Sequence, residues 1–317
     1  MNLDFPLFPE QASTMAPRVD ALYLFFIAVA VFFTTLIFVL IVIFAVKYRR
    51  RSEQERPAPI EGIVWLEIAW SVIPLGVAMV MFVWGAVVFF DIYAPPGNAL
   101  EINVVGRQWM WKVQHPQGRS EINELHVPLG QPVKLTMTSE DVIHDFFLPA
   151  FRVKHDVIPG RYTMIWFEPT KAGVYHLFCA EYCGTQHSGM IGRVVVMEPA
   201  EFERWLGGGA TQASTAELGE SLFQRFGCEP CHRAAGSRQG PSLAGLFGKT
   251  VNLETGGTVT ADENYIRESI LEPRAKIVAG YQPIMPTFKG LISEEGILQL
   301  IAYIKSLNAE PRAREPR

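Results

Sequence analysis

Two short stretches of this chain gather residue types that bind soft metals and haem. The first is CAEYCGTQHSGM, residues 179–190, with a histidine 35 residues ahead of it. Its candidate donors are His144, Cys179, Cys183, His187 and Met190. Thiolate and thioether ligands with imidazoles select copper, and a mononuclear blue-copper site uses one cysteine, two histidines and a weak methionine. A second cysteine supplies enough ligands for a dinuclear copper centre bridged by two thiolates. One unpaired electron shared over two metals spreads the charge change on redox, so little reorganises during transfer. Zinc also accepts two cysteines and two histidines, but a structural zinc site has no use for Met190. A disulfide between Cys179 and Cys183 is the remaining alternative.

The second stretch is CEPCH, residues 228–232. Cys-x-x-Cys-His is the attachment signature of a covalent haem c. Cys228 and Cys231 bond the haem vinyl groups, and His232 lies where it can ligate iron. A thioredoxin-like redox pair would sit near a βαβ pattern, which is absent from the sequence here. Half of a zinc site would need a second ligand pair, and residues 217–308 supply none. After His232 the chain holds no histidine and one methionine, Met285, in YQPIMPTF. Its alternative is core packing, but the lack of competitors points to the sixth iron ligand, and thioether ligation raises the potential. Pro241, in GPSL, stands where it could brace the histidine side.

These sites need elements to position them. The chain has 317 residues, 49% hydrophobic and 19% charged, with net charge −4, and a mean hydropathy of +0.15. That composition excludes a disordered or collagen-like chain, and nothing in it suggests a nucleic-acid partner. The positive hydropathy comes from residues 21–46, which carry no charge, and residues 62–90, whose one charge before the end is Glu67. Each exceeds the ~20 apolar residues that span a bilayer as a helix, and the first is too long for a signal-peptide core. The loop 47–61 holds Lys47, Arg49, Arg50, Arg51 and Arg56. Cytoplasmic loops collect positive charge, so the 1–20 segment, both termini and everything after residue 91 are expected outside a bacterial plasma membrane.

Residues 91–205 read as short strands, among them EINVV, WMWKV, VKLTM, YTMIWF, GVYHLF and GRVVVM, separated by turn residues. This is the pattern of a sandwich or barrel. LGGGATQASTA, residues 206–216, reads as a flexible linker. Residues 217–308 read as helices, the last opened by Ser293 as a cap, and residues 309–317 are a polar tail. His115, His126, His155 and His176 show no ligand spacing, although His176 precedes the copper loop on a strand.

Taken together, these residues resemble subunit II of a haem–copper cytochrome c oxidase of the caa-type, with cytochrome c fused at the C-terminus. The resemblance implies a two-helix transmembrane hairpin, an all-β cupredoxin-like (Greek-key) domain and an all-α class I cytochrome c domain. It implies that His144, Cys179, Cys183, His187 and Met190 form a CuA centre. Glu181 is then expected to give its backbone carbonyl to copper, and its carboxylate to a magnesium ion at the subunit I interface. In Gln108-Trp109-Met110-Trp111, Trp109 matches the aromatic residue that passes electrons to CuA. Glu67, three residues before Trp70, matches a glutamate that opens a proton path into subunit I. An ionisable group inside a membrane span is functional by default, in agreement with that role. The implied partners are subunit I, subunit III, membrane lipid, and a cytochrome c or quinol–cytochrome c reductase as donor. A CuA subunit of a nitric oxide reductase and a stand-alone membrane-tethered electron carrier are the competing readings. A quinol-oxidase subunit II lacks the copper ligands.

Overall fold

The fold is described from a computed structural model, which covers residues 8–56, 62–208, 213–232 and 239–308. All or part of five expected segments lies outside the described residues: 1–7, 57–61 of the loop, 209–212 of the linker, 233–238 of the haem domain and the 309–317 tail. The described chain divides into two units, residues 14–94 and the remainder.

The first unit is a helical hairpin. Helix α1 spans Ala16–Lys47 and α2 spans Val64–Ile92. Both are long and apolar enough to cross a membrane. They run antiparallel: Arg18 at the start of α1 pairs with Asp91 at the end of α2 at 2.7 Å, and Phe25 meets Trp84. The helices outrun the apolar stretches at the ends where Arg18 and Asp91 stand. Most of their side chains are exposed within the unit, and only Ala16 and Val88 are buried, as befits surfaces that face lipid or other helices.

The second unit begins with a two-sheet sandwich. Its strands are β1 (Leu100–Arg107), β2 (Met110–Gln114), β3 (Ser120–Ile122), β4 (Glu124–Pro128), β5 (Val133–Ser139), β6 (His144–Leu148), β7 (Val153–Val157), β8 (Thr163–Phe167), β9 (Gly173–Cys179) and β10 (Ile191–Met197). One sheet has the order β3-β2-β1-β5-β8 and the other β4-β10-β9-β6-β7. The β1–β5 and β4–β10 pairs are parallel, and the other pairs are antiparallel. Alternate residues of each strand face inward, so Ile102, Val104, Trp111, Leu135, Phe146 and Leu177 build one core. Ala12, ahead of α1, is buried in that core and hydrogen-bonded to Ala150 and Thr170.

A short helix α3 (Pro199–Gly207) leads to the C-terminal domain. This contains α4 (Thr215–Arg225), α5 (Glu229–His232), α6 (Glu263–Leu271) and α7 (Glu294–Ser306). A capping box of Ser214 and Glu217 starts α4, and the Ser293 hydroxyl accepts from the Gly296 amide to start α7. Helices α4 and α7 cross at Gly219, where a Cβ would collide with the Gln299 carbonyl. The domain also carries a hairpin, β11 (Thr250–Leu253) with β12 (Gly257–Thr260); Thr258, Val259 and Thr260 give it the β-branched content of strands.

The expected linker, residues 206–216, is pinned at both ends. Leu206 and Gly207 belong to α3, and Thr215 and Ala216 belong to α4. The Thr215 amide donates to Pro116 O at 2.9 Å, and its hydroxyl donates to His115 O at 2.9 Å. Trp205 lies on the His126 ring, with centroids 4.4 Å apart and planes 17° apart, and Arg119 stacks over the Trp205 ring. Helix α3 runs on through Leu206 and Gly207, and α4 has a capped start at Thr215, so the ends of the expected linker belong to helices.

Candidate copper and haem sites

The copper ligands come from two neighbouring strands and one loop. β6 and β9 pair antiparallel, with Phe146 opposite Cys179. This sets His144, at the start of β6, beside Cys179, at the end of β9. The loop 180–190 is folded back by Ala180 N to Asp145 O, His187 N to Gly184 O and Cys179 N to Met190 O, at 3.0–3.2 Å. Cys179, Cys183 and Met190 are buried, and so is His144.

The donor atoms converge. Cys179 Sγ lies 3.8 Å from Cys183 Sγ and 3.9 Å from His144 Nδ1. Cys183 Sγ lies 3.5 Å from His187 Nδ1 and 3.8 Å from Met190 Sδ. Glu181 O is 3.2 Å from Cys179 Sγ. None of the four cysteines is in a disulfide. Two ligands each about 2.0–2.3 Å from a shared ion stand roughly 3.5–4 Å apart, so these spacings suit atoms that share metals. Two sulfurs, two imidazole nitrogens, a thioether and a carbonyl form a soft set that fits a copper pair.

The surrounding groups prepare the thiols. Burial opposes ionisation of Cys179, but hydrogen bonds with His144 and with backbone groups outweigh it and hold the thiol at about 7. Burial and the neighbouring Cys179 charge push Cys183 up to about 12. The first proton therefore leaves easily, and the second leaves when a cation takes its place. Asp141, which sequence reasoning missed, accepts from His144 Nε2 at 2.9 Å. With Nε2 holding the proton, the Nδ1 lone pair faces the sulfurs. Burial disfavours a charged His144, yet its contacts with Cys179 and Asp141 raise its basicity above the ordinary value. The acid three residues ahead of His144 was the available signal; that its carboxylate meets the ring follows only from the turn before β6.

Trp109 occupies the β1–β2 turn. Its Nε1 donates to Cys183 O at 3.3 Å, and Gln108 Nε2 donates to the same carbonyl at 2.7 Å. The Gln108 amide donates to Asp141 Oδ2 at 2.8 Å. Gly184, with φ +120°, brings the loop close to Trp109; a Cβ there would lie 3.2 Å from the indole. Glu67 stands in the first turn of α2, in the other unit. The Glu181 carboxylate is exposed.

In the C-terminal domain one apolar cavity is lined by Cys228, Cys231, His232 and Met285, with Phe226, Leu243 and Tyr281 among the other walls. His232 Nδ1 lies 2.9 Å from Pro241 O. A carbonyl only accepts, so Nδ1 carries the proton and Nε2 is left as the ligating nitrogen. Two thiols, an imidazole so oriented, a thioether and apolar walls fit a covalently held haem.

Two stretches of this chain match known families. Residues 119–198 match the family described as cytochrome c oxidase subunit II, periplasmic domain, and residues 216–308 match cytochrome c. Cytochrome c oxidase subunit 2 of Alkalihalophilus pseudofirmus is 29% identical over 286 residues, covering 86% of this chain and 82% of that protein. The same subunit of Thermostichus vulcanus is 30% identical over 253 residues, covering 63% and 77%. A crystal structure of the periplasmic domain of subunit II of cytochrome oxidase (CoxB) of Bradyrhizobium japonicum is 34% identical, with a TM-score of 0.35, and covers 36% of this chain and 95% of that one.

The hairpin, the sandwich and the helical domain make this a membrane-anchored electron-transfer protein with outer soluble domains, a CuA-type copper centre and haem c. The chain belongs to the subunit II family of cytochrome c oxidase, in the form that carries a cytochrome c domain at its C-terminus. It is part of an oxidoreductase complex and partners other oxidase subunits.

Proposed function

We propose that this subunit takes up electrons at the site around His232, hands them to the site around Cys183, and delivers them to subunit I, where oxygen is reduced to water. When bound, the haem and the copper pair supply one-electron carriers. Cys179 and Cys183, with the Nδ1 atoms of His144 and His187, the Met190 thioether and the Glu181 carbonyl, would hold the coppers. Cys228 and Cys231 would anchor the haem, and His232 and Met285 would ligate its iron. Trp109 is the uptake residue. The observation that carries the reading is that Trp109 and Gln108 both donate to the carbonyl of Cys183. A hydrogen bond into the backbone of a ligand is a short route from the surface to the metals.

On this reading the arginine-rich loop lies in the cytoplasm and both termini lie outside. Glu67 is then at the cytoplasmic start of α2 and receives protons for subunit I. The Glu181 carboxylate holds magnesium against subunit I. The donor is a cytochrome c or quinol–cytochrome c reductase, and subunit III joins the assembly. A metal and haem count on the purified complex tests the centres. The expected result is two coppers and one covalent haem per chain, with Cys183→Ser losing copper and keeping haem. One copper per wild-type chain refutes the dinuclear site.

A further inference from the structure

The outer face of the β1–β5 pair is buried, although a sandwich needs to bury only its inner faces. Ile102 and Val104 point into the sandwich core, yet Val105, on the opposite face, is 3% exposed. By register Thr136 and Thr138 share that outer face, and both are buried. Val105 and Tyr162 belong to the apolar cluster of the C-terminal domain, with Ile266, Ile297 and Ile301, and α7 lies against β1. Tyr162 OH is buried without a hydrogen-bond partner.

Polar contacts ring this apolar centre. The Tyr162 amide donates to Asn264 Oδ1 at 2.7 Å. Arg267, forked by Glu294, donates to Gly160 O at 2.5 Å. Lys305 reaches Glu101 at 2.9 Å and Glu263 at 2.9 Å, and Lys134 reaches Glu101 at 3.1 Å and Glu263 at 3.7 Å. Two acids and two bases thus alternate across the junction, each acid bound to both bases. An apolar centre with a paired polar rim is the anatomy of a specific interface. Beside it a cleft is lined by Trp109 and Asp141 from one domain and by Leu271 and Ile292 from the other. Ile292 also lines the haem cavity.

We propose that the haem domain is seated on the outer face of β1 and β5 by this interface, rather than swinging on its linker, so that the cavity faces Trp109 across Ile292. The seating stands on the contacts above. Its use in electron transfer rests on the role given to Trp109.

Hydrogen exchange on the full chain in detergent tests the seating, because the Tyr162 amide is bonded across the junction. It should exchange at least tenfold slower than an unprotected amide. Val105→Asp should remove that protection, while the amides of Leu135 in β5 and Ile301 in α7 stay slow and show that both domains are folded. Inserting ten Gly/Ser residues after residue 210 should leave Tyr162 protection within about threefold, since effective concentration falls only slowly with linker length. Unprotected Tyr162 in the wild type, protection unaffected by Val105→Asp, or a tenfold loss on lengthening the linker would each overturn the proposal. A failed copper or haem count, by contrast, bears on the electron-transfer reading and leaves the seating intact.

Discussion

Asp141 accepts hydrogen bonds from the Gln108 amide and the His144 ring, so one carboxylate fixes both the approach to the copper site and a ligand within it. Outer partners of this kind are worth about 10–100-fold in metal affinity. Asp141→Ala should weaken copper binding by that order in a competition titration, whereas Asp141→Asn, which keeps an acceptor oxygen, should retain most of it. At the haem site, Met285→Leu should leave the haem attached through Cys228 and Cys231 and lower its potential, because thioether ligation raises the potential. Potentiometry with the loss of the sulfur–iron absorption band checks this. The donor residues were legible in the sequence because their chemistry and spacing are local: four of the five copper side-chain donors lie within 179–190. Asp141 was not, because its importance comes from the turn that folds it under the His144 ring.

The histidines that showed no ligand spacing illustrate the same limit among elements. His115 closes the end of β2, His126 lies in β4, and both bond to Glu121 of β3, His115 at 2.8 Å. Trp205 of α3 stacks on His126 and meets His115 edge-on. Burial alone would raise the Glu121 carboxyl, but the two histidines outweigh it and hold it at about 2. Arg119 and Glu124 are the other charged groups nearby, Arg119 on Trp205 and Glu124 paired with Arg193. A carboxyl lowered by folding stabilises the fold fully above its unfolded value of 4.5 and loses that contribution as pH falls from there toward 2. Allowing for partial exposure, the contribution is on the order of 2 kcal/mol. Glu121→Gln should lower stability by that order at pH 7, and the variant and wild type should converge as pH falls toward 2. Denaturant unfolding followed by tryptophan fluorescence measures it. Six strands and the principal helices were readable from apolar alternation and caps; β3, β4, β6, β7 and the β11–β12 hairpin were not, and in β6 and β7 the reason is that HDFFL and VKHDV place charges at positions that alternation reserves for the core or mixes with it.

Over the whole molecule, the order hairpin, sandwich and haem domain follows directly from composition along the chain. The seating of one domain on the other could not be read there. Lys305 and Glu101 are 204 residues apart, and each is an unremarkable surface charge in its own stretch. Val105 reads as one more apolar residue of EINVV, with nothing local to say that both faces of its strand are covered. The glycine-rich stretch suggested a tether because small residues lack side chains to pack, yet its flanks, Trp205 and Thr215, are what fasten it.

Both flanks fasten to the same corner of the sandwich, Trp205 on Arg119 and His126 and Thr215 on His115 and Pro116. Of the two, only Thr215 belongs to the haem domain, and with the Tyr162–Asn264 and Gly160–Arg267 bonds it makes the covalent connection redundant. A protease site inserted at residues 209–212 and then cut should leave two fragments that separate under denaturing electrophoresis but travel as one species through gel filtration at physiological salt. Val105→Asp combined with Thr215→Val should let the halves part. The fusion would then be a permanent complex of two proteins whose peptide link sets their stoichiometry and delivers them to the membrane together, while their surfaces keep them joined.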